Sequence, residues 1–376
     1  MQRCARCLLP ETHETISFGS DGVCNICLQT ETKKHIDWQE RRRWLDELVG
    51  NVKGHGDYDC IVPYSGGKDS VFQLLFVVRE LKLKPLVVRF NHLGFRPLVA
   101  KNNQSVFSQL GVDVIDCSPN PRLVKRLMRE SLKRNGDFCW HCHMGIFSFA
   151  LRSAIVYETP LVIFGESPAE YTAYCSFEEI ATLDESLFNT IVNLGANLNE
   201  MAAAIEGDYC LRDLAPFKFP SAAALEQASV KAIWLGNYIE WDTKRNVDLI
   251  QHELGWLGQE VEGVPPEYCY EKIECRWQGI RDWCKYIKRG YGRTSHLSAI
   301  DIRNGRLAQD QAIRQIDEYD GRVPASLQFF LNDISMTEEE FYEIMSAFVD
   351  PRWSFNLDLC KSGRALDDMG EWEQLC

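Results

Sequence analysis

The sequence predicts an α/β protein with a parallel sheet, preceded by a small cysteine-rich module and followed by a mostly helical region. Short apolar segments alternate with helical stretches between residues 58 and 164. Two Cys-x-x-Cys pairs lie near the N-terminus, and helical spacing dominates the last third of the chain. We place the boundaries at residues 1–50, 51–240 and 241–376.

The composition is typical of a soluble globular protein. The chain has 376 residues, 15 cysteines and a formal net charge of −13. No stretch approaches the ~18 apolar residues that cross a membrane, and no apolar signal segment opens the sequence. An acidic balance argues against nucleic-acid binding, because phosphate recognition needs a basic surface. We therefore expect a cytoplasmic protein with no membrane and no nucleic-acid partner.

The N-terminal cysteines have the spacing of a structural metal site. Cys4-x-x-Cys7 and Cys24-x-x-Cys27 are separated by sixteen residues, which is typical of a zinc ribbon. In a reducing compartment such a pattern more often binds metal than forms disulfides. Four thiolates close a tetrahedral site and leave no open position for water. We therefore predict a structural Zn²⁺ site.

A glycine-rich turn lies between a predicted strand and a predicted helix. Residues 58–64 are the strand, and residues 71–78 are the largely apolar helix that follows. The turn between them reads Ser65-Gly66-Gly67-Lys68-Asp69-Ser70. Glycines let backbone N–H groups converge on phosphate oxygens, and the N-terminus of a helix favours anions. The motif differs from Walker A, because an aspartate separates the lysine from the serine.

Three further strands complete the predicted sheet, at residues 85–90, 112–116 and 160–164. Ligands of parallel sheets bind beyond the carboxyl ends of the strands. Asn91 and Gly165 follow two of these strands and could line a nucleotide pocket. Glu166 could hold Mg²⁺ or act as a base, although residues at strand ends are often only turn formers.

A third Cys-x-x-Cys pair lies between these strands. Cys139 and Cys142 are flanked by histidines and could form half of a second metal site. Buried thiols without a metal are the alternative, because no local fourth ligand completes the pattern. The distant cysteines that could complete it are Cys175, Cys210, Cys269 and Cys275.

Basic residues concentrate in the C-terminal region. Between Arg276 and Arg306 eight basic residues stand against two acidic ones. Glycines interrupt this stretch beside Lys288, Arg289 and Arg293, so we expect a flexible basic loop. Arginine binds carboxylates and phosphates with two parallel hydrogen bonds, so these three residues could bind an anionic substrate. A solvated surface explains the charges equally well.

The Ser65–Ser70 motif resembles the PP-loop of the ATP pyrophosphatase superfamily, whose fold is adenine nucleotide alpha-hydrolase-like. Beyond that motif, most of the chain resembles the N-acetyl sugar amidotransferase family, which is WbpG/PseA-like. That resemblance is carried by Cys4/Cys7, Leu9-Pro10, Gly22–Cys27, Cys139/Cys142, Gly165–Tyr171, Lys288–Arg293 and Ile300–Gly305.

The resemblance implies an ATP-dependent amidotransferase of lipopolysaccharide O-antigen or flagellin glycan biosynthesis. Such an enzyme adenylates the acetamido oxygen of a sugar and replaces it with ammonia, which gives an acetamidino group, AMP and pyrophosphate. The sugar is nucleotide-linked or a nonulosonic acid, and ammonia comes from separate glutaminase and cyclase-type subunits. ATP and Mg²⁺ are implied, with catalytic roles for Lys68, Asp69 and Glu166.

Two other functions remain open from the sequence. A PP-loop tRNA thiolase would share the loop and the cysteine pairs, with an iron–sulfur cluster on them, but it predicts a basic RNA-binding face. The isoelectric point near 5.2 weighs against such a face. A non-enzymatic zinc-ribbon adaptor would leave the Ser65–Ser70 loop without a purpose.

Overall fold

A computed structural model describes residues 1–170, 175–177 and 195–372. Its central sheet has five parallel strands in the order β3-β2-β1-β4-β5. This confirms the predicted α/β class. The strands span Cys60–Pro63 (β1), Pro85–Phe90 (β2), Asp113–Cys117 (β3), Leu161–Phe164 (β4) and Lys231–Trp234 (β5).

Helices connect the strands and cover the sheet. The predicted helix after β1 begins at Lys68, and it continues into a π-helical turn at Phe76–Glu80. Among the described residues of the N-terminal two thirds, the helices are Asn25–Lys33 (α1), Trp38–Gly50 (α2), Lys68–Leu75 (α3), Pro97–Leu110 (α4), Pro121–Asn135 (α5), Trp140–Val156 (α6), Leu198–Ala204 (α7), Ala222–Gln227 (α8) and Thr243–Leu254 (α9).

The C-terminal region is mostly helical, as predicted. Its helices are Gln278–Arg289 (α10), Arg293–Arg303 (α11), Gln309–Tyr319 (α12), Leu327–Asp333 (α13), Glu338–Ser346 (α14) and Met369–Trp372 (α15). A short parallel pair joins Arg322–Val323 (β6) to Lys361–Ser362 (β7). Thr337 caps α14 by accepting a hydrogen bond from the N–H of Glu340.

The central strand β1 is buried on both faces of the sheet. All four residues of β1 are buried, and successive side chains contact different hydrophobic clusters. Cys60 and Val62 join the cluster that includes Val71 of α3, whereas Ile61 joins the cluster that includes Leu151 of α6. This alternation follows from the two-residue period of a strand, and it explains why β1 is a continuous apolar run.

The topology brings two predicted segments together. β1 pairs with β2 on one side and with β4 on the other, so the direction of chain progression reverses between β1 and β4. Ligands of open parallel sheets bind at such a point, beyond the carboxyl ends of the strands. The Ser65–Ser70 loop follows β1, and Gly165 and Glu166 follow β4.

The C-terminal helices form their own core with α5 and the start of α6. Trp283 of α10, Phe330 of α13 and Phe341 of α14 pack in one cluster with Leu127 and Trp140. None of the helices in the described ranges has the length and apolar character of a membrane span. The domain boundaries at residues 50 and 240 stay a prediction.

Candidate active site and cysteine cluster

A cavity of about 410 Å³ opens at the carboxyl edge of the sheet. Its wall includes four residues of the predicted phosphate loop, Ser65, Gly67, Asp69 and Ser70. Residues after β4, at the start of α6 and in a segment of the C-terminal region also line it. These are Gly165, Glu166, Cys139, Cys142, His143, Ile146, Phe147, Lys272, Glu274, Cys275, Trp277, Gln278 and Arg281.

The phosphate loop is held in shape by its own serines. Ser70 Oγ accepts hydrogen bonds from the N–H groups of Ser65 and Gly66, and Ser65 Oγ accepts one from Gly67. Gly66 has φ +89°, a conformation that residues with a Cβ rarely adopt. α3 begins directly after Gly67, so its first-turn N–H groups lack partners within the helix and can bind an anion.

Lys68 lies in a buried ion-pair network. Its ammonium is 2.8 Å from Asp69 Oδ2 and 2.7 Å from Glu271 Oε2, and its side chain is 3% exposed. Burial alone would raise the pKa of Glu271, but Lys68 and Arg293 outweigh it and lower that pKa to about 2. Glu271 therefore carries a full negative charge and fixes Lys68 from the C-terminal region.

Glu166 has the opposite electrostatic environment. Burial and the neighbouring Asp69 raise its pKa to about 7, despite the opposing effects of Lys272 and Lys68. A carboxyl group with this pKa exchanges its proton near neutrality, as a general base must.

The carboxylates beside the loop also fit a divalent cation. Asp69 Oδ1 and Glu274 Oε2 are buried and have no hydrogen-bond partner in the described part of the chain. Carboxylate oxygens are the ligands that Mg²⁺ prefers, and Mg²⁺ usually shares them with substrate phosphates. Asp69 and Glu274 are therefore residues that could hold Mg²⁺, whereas a role of Glu166 as a ligand stays a prediction.

Aromatic side chains form the opposite wall. The rings of Phe147 and Phe164 are stacked with their centroids 4.9 Å apart, and the ring centroid of Trp234 lies 5.1 Å from that of Phe164. Trp234 Nε1 is buried and has no hydrogen-bond partner among the described residues. These apolar rings, together with the N–H donor of Trp234, can bind a heterocyclic base by stacking.

Of the two other residues predicted to line the nucleotide pocket, Gly165 lies in the cavity wall and Asn91 lies outside it. Gly165 lines the cavity beside the phosphate loop. Asn91 follows β2 as expected, but its side chain donates to Ser118 Oγ at 3.2 Å and accepts from the N–H of Leu93. It lies outside the cavity wall, where the adjacent His92 lies instead. The role of Asn91 in nucleotide binding stays a prediction.

The prediction of a flexible basic loop at residues 288–293 is wrong, because most of this segment belongs to two helices. Lys288 and Arg289 end α10, and Arg293 begins α11 after the left-handed Gly290. Lys288 donates to Asn135 O at 3.3 Å, and Arg289 pairs with Glu14 at 2.8 Å.

Arg293 is 13% exposed and is held by two carboxylates. It lies 3.0 Å from Asp282 and 3.5 Å from Glu271. Lys288, Arg289 and Arg293 all lie outside the cavity wall. Their predicted role in substrate binding stays a prediction, and Arg293 reaches the loop only through Glu271.

The second cysteine pair lies in the cavity wall. Cys139 and Cys142 are at the start of α6, and Cys275 of the C-terminal segment lines the same cavity. Of the distant cysteines named from the sequence, Cys275 is the one in this wall. Arg281 also lines the cavity and pairs with Asp137 at 3.3 Å.

The first two pairs converge as the spacing predicts. The four sulfurs of Cys4, Cys7, Cys24 and Cys27 lie within 4.8 Å of one another, and all four residues are buried. Cys4 Sγ accepts hydrogen bonds from the N–H groups of Arg6, Cys7 and Cys24. Four buried sulfurs this close together match the ligand set of a structural metal site. The cluster can therefore hold one metal ion.

Sequence reasoning missed the acidic part of the site. Glu271, Lys272 and Glu274 lie on one turn, after which α10 begins at Gln278. In the sequence, these charged residues stand among apolar neighbours, which could have indicated a buried charged site. Charged residues on a loop are usually solvated, so this pattern alone did not predict one. Only the packing of this turn against Gly67 and Lys68 shows its role.

Comparison with known proteins identifies the C-terminal region. Residues 267–366 match the family model described as "LPS biosynthesis protein WbpG-like, C-terminal domain". This match confirms the WbpG-like resemblance for that part of the chain. The matched residues include the whole turn that contacts the phosphate loop.

Other similarities are more distant. An uncharacterized protein of Methanocaldococcus jannaschii is 26% identical over 180 residues, which are 47% of this chain and 64% of that protein. The U34-tRNA thiolase NcsA from Methanococcus maripaludis, solved with its [4Fe-4S] cluster, has a TM-score of 0.32 at 16% identity, covering 84% of this chain and 89% of its own. The NMN synthetase from Francisella tularensis has a TM-score of 0.27 at 15% identity. The match covers 59% of this chain and 94% of the synthetase.

Proposed function

We propose that this protein is an ATP-dependent amidotransferase that converts the acetamido group of an N-acetylated sugar into an acetamidino group. The observation that carries the proposal is the shared cavity. The Ser65–Ser70 loop and a turn of the WbpG-like domain line the same space, and Lys68 and Glu271 join them. A nucleotide and a second substrate can therefore meet there.

The proposed reaction has two steps. The acetamido oxygen attacks the α-phosphorus of ATP, the bond to the β-phosphate oxygen breaks, and pyrophosphate leaves. Ammonia then attacks the imidate carbon, and AMP leaves with the original acetamido oxygen. An amide oxygen is a poor nucleophile and a poor leaving group, so adenylation makes the exchange feasible.

The residues of the cavity fit this chemistry. The first-turn N–H groups of α3 bind phosphate oxygens, and the aromatic rings of Phe147, Phe164 and Trp234 stack the adenine. Bound Mg²⁺ would neutralise charge on the transferring phosphoryl group. Glu166, with its pKa of about 7, accepts the proton released when ammonia attacks.

The remaining parts of the proposal follow from the family resemblance. Ammonia is supplied by a separate glutaminase with a cyclase-type channelling subunit. The pathway is lipopolysaccharide O-antigen or flagellin glycan synthesis. The N-terminal cysteine cluster holds structural Zn²⁺, since four thiolates leave no open position for catalysis.

Mass spectrometry tests this function. Candidate N-acetyl sugars are incubated with the protein, ATP, Mg²⁺ and ammonium, and sugar and nucleotide products are measured together. Exchange of oxygen for NH lowers the sugar mass by about one dalton, the expected result of displacing an activated oxygen. AMP and pyrophosphate should form in equal amounts with the product. ADP and orthophosphate as primary products would contradict the proposal, and an adaptor would turn over no ATP.

One observation favours a second candidate, an ATP-dependent thiolase. Cys139, Cys142 and Cys275 line the cavity, and three thiolates beside an adenylation site could hold an iron–sulfur cluster. Their sulfurs do not form a group as tight as the N-terminal four, within the residues described. Iron and acid-labile sulfide in anaerobically purified protein would favour this candidate, and their absence would favour the amidotransferase.

A further inference from the structure

The turn that fixes Lys68 also places a second lysine in the cavity. Lys272 follows Glu271 directly and lines the cavity with Ser65 and Glu166. Its charge is close enough to lower the pKa of both Glu271 and Glu166. Lys272 therefore lies beside the phosphate loop, although it belongs to the C-terminal region.

The backbone of Lys272 is strained. Its φ is +54°, in the left-handed region where a Cβ crowds the following carbonyl group. Both neighbours fix this conformation, because Glu271 is bound to Lys68 and the side chain of Ile273 is fully buried. Such strain tends to persist at functional sites, where the surrounding structure imposes it.

The Lys272 ammonium makes no ion pair with any residue in the described ranges. The other arginine or lysine of the cavity wall, Arg281, is paired with Asp137. His92 also lines the cavity, but burial lowers its pKa to about 3 and it is uncharged at neutral pH. Of the lysine and arginine side chains in the described wall, Lys272 is thus the one without an ion pair.

The charges beside the loop favour a further cation for the binding of a polyphosphate. Lys68 is already neutralised by Asp69 and Glu271, and both contacts are shorter than 3 Å. Glu274 adds a further carboxylate against Gly67. Lys272 offsets part of this negative charge, which favours a polyphosphate because buried like charges repel strongly.

We propose that Lys272 is a phosphate-binding residue that contacts the β- and γ-phosphates of ATP, the part that leaves as pyrophosphate. The inference rests on the proposed function in assigning ATP to this cavity. It adds that the WbpG-like domain supplies the free positive charge, so the phosphate site is complete only when that domain packs on the loop. Its role is charge complementarity with the anion.

Binding measurements with charge and backbone variants test this proposal. Lys272→Gly removes the charge and suits the left-handed backbone, whereas Lys272→Arg keeps the charge. Lys82→Gly is the matched control, because Lys82 has φ +53° and lies outside the cavity wall. Isothermal titration calorimetry measures the Kd of Mg·ATP, inorganic pyrophosphate and adenosine for each full-length variant.

Lys272→Gly should weaken the binding of Mg·ATP and pyrophosphate about ten- to a hundredfold, the loss expected for one charge-assisted hydrogen bond. Adenosine binding should not change. Because Lys272→Arg keeps the charge, its Kd for pyrophosphate should lie within about threefold of the wild-type value. Lys82→Gly should bind pyrophosphate with the wild-type Kd.

Two results separate this inference from the proposed function. If the wild type binds pyrophosphate and Lys272→Gly binds it equally well, the assignment of Lys272 is wrong and ATP use stands. If the wild type binds neither Mg·ATP nor pyrophosphate, the proposed function itself fails.

Discussion

The protonation of Glu166 should make the stability of the protein depend on pH. Its pKa rises from 4.5 to about 7, first because of burial and then because of Asp69. Between these values the folded protein keeps a proton that the unfolded chain loses, so stability falls as pH rises. One pKa unit corresponds to about 1.4 kcal/mol. The ionisation of Glu166 should therefore lower the free energy of unfolding by about 2–3 kcal/mol as the pH rises from 5 to 8.

Urea unfolding of Glu166→Gln measures this contribution. Glutamine keeps the shape of the protonated carboxyl group and does not ionise. The free energy of unfolding of the variant should therefore rise by about 2–3 kcal/mol relative to that of the wild type between pH 5 and pH 8. Glu226→Gln is the control, because Glu226 is exposed on α8. Parallel pH dependence of the free energy of unfolding in the wild type and Glu166→Gln would refute the assigned environment.

Two further predictions concern the metal cluster and the buried arginine. Cys4→Ser should abolish binding of one Zn²⁺ per chain, measured by elemental analysis, whereas the buried Cys284→Ser should keep it, because Cys284 lies outside the cluster. Full zinc occupancy in Cys4→Ser would contradict the site. Arg293→Ala should lower the free energy of unfolding by about 3–5 kcal/mol, because it leaves Asp282 and Glu271 buried with fewer partners. A raised KM for sugar with unchanged stability would instead support the substrate-binding role predicted for Arg293.

The elements with local signals could be predicted from the sequence. The central strands carry apolar runs between turn residues, and β2 has the predicted bounds of Pro85–Phe90. The four N-terminal cysteines converge because their spacing allows one geometry. The phosphate loop and Glu166 meet because parallel strands end at the same edge of a sheet.

The remaining features depend on tertiary packing that leaves no local pattern. Glu271 and Lys68 are separated by about two hundred residues in sequence, and only the folded C-terminal region brings them together. The prediction of a basic loop fails because Gly290 ends one helix in a left-handed conformation, and the next helix begins within three residues. Arg293 is a buried partner of two carboxylates because helix α11 packs inward there.

The fate of the acetamido oxygen is the measurement that tests the proposed reaction most directly. An N-acetyl sugar that the protein converts is prepared with ¹⁸O in its acetamido group and incubated with ATP, Mg²⁺ and ammonium. Mass spectrometry of the nucleotide then follows the label. Attack of that oxygen on the α-phosphorus predicts one ¹⁸O in the phosphate group of every AMP formed, in step with the acetamidino product. Unlabelled AMP, or label in orthophosphate together with ADP, would contradict adenylation of the sugar.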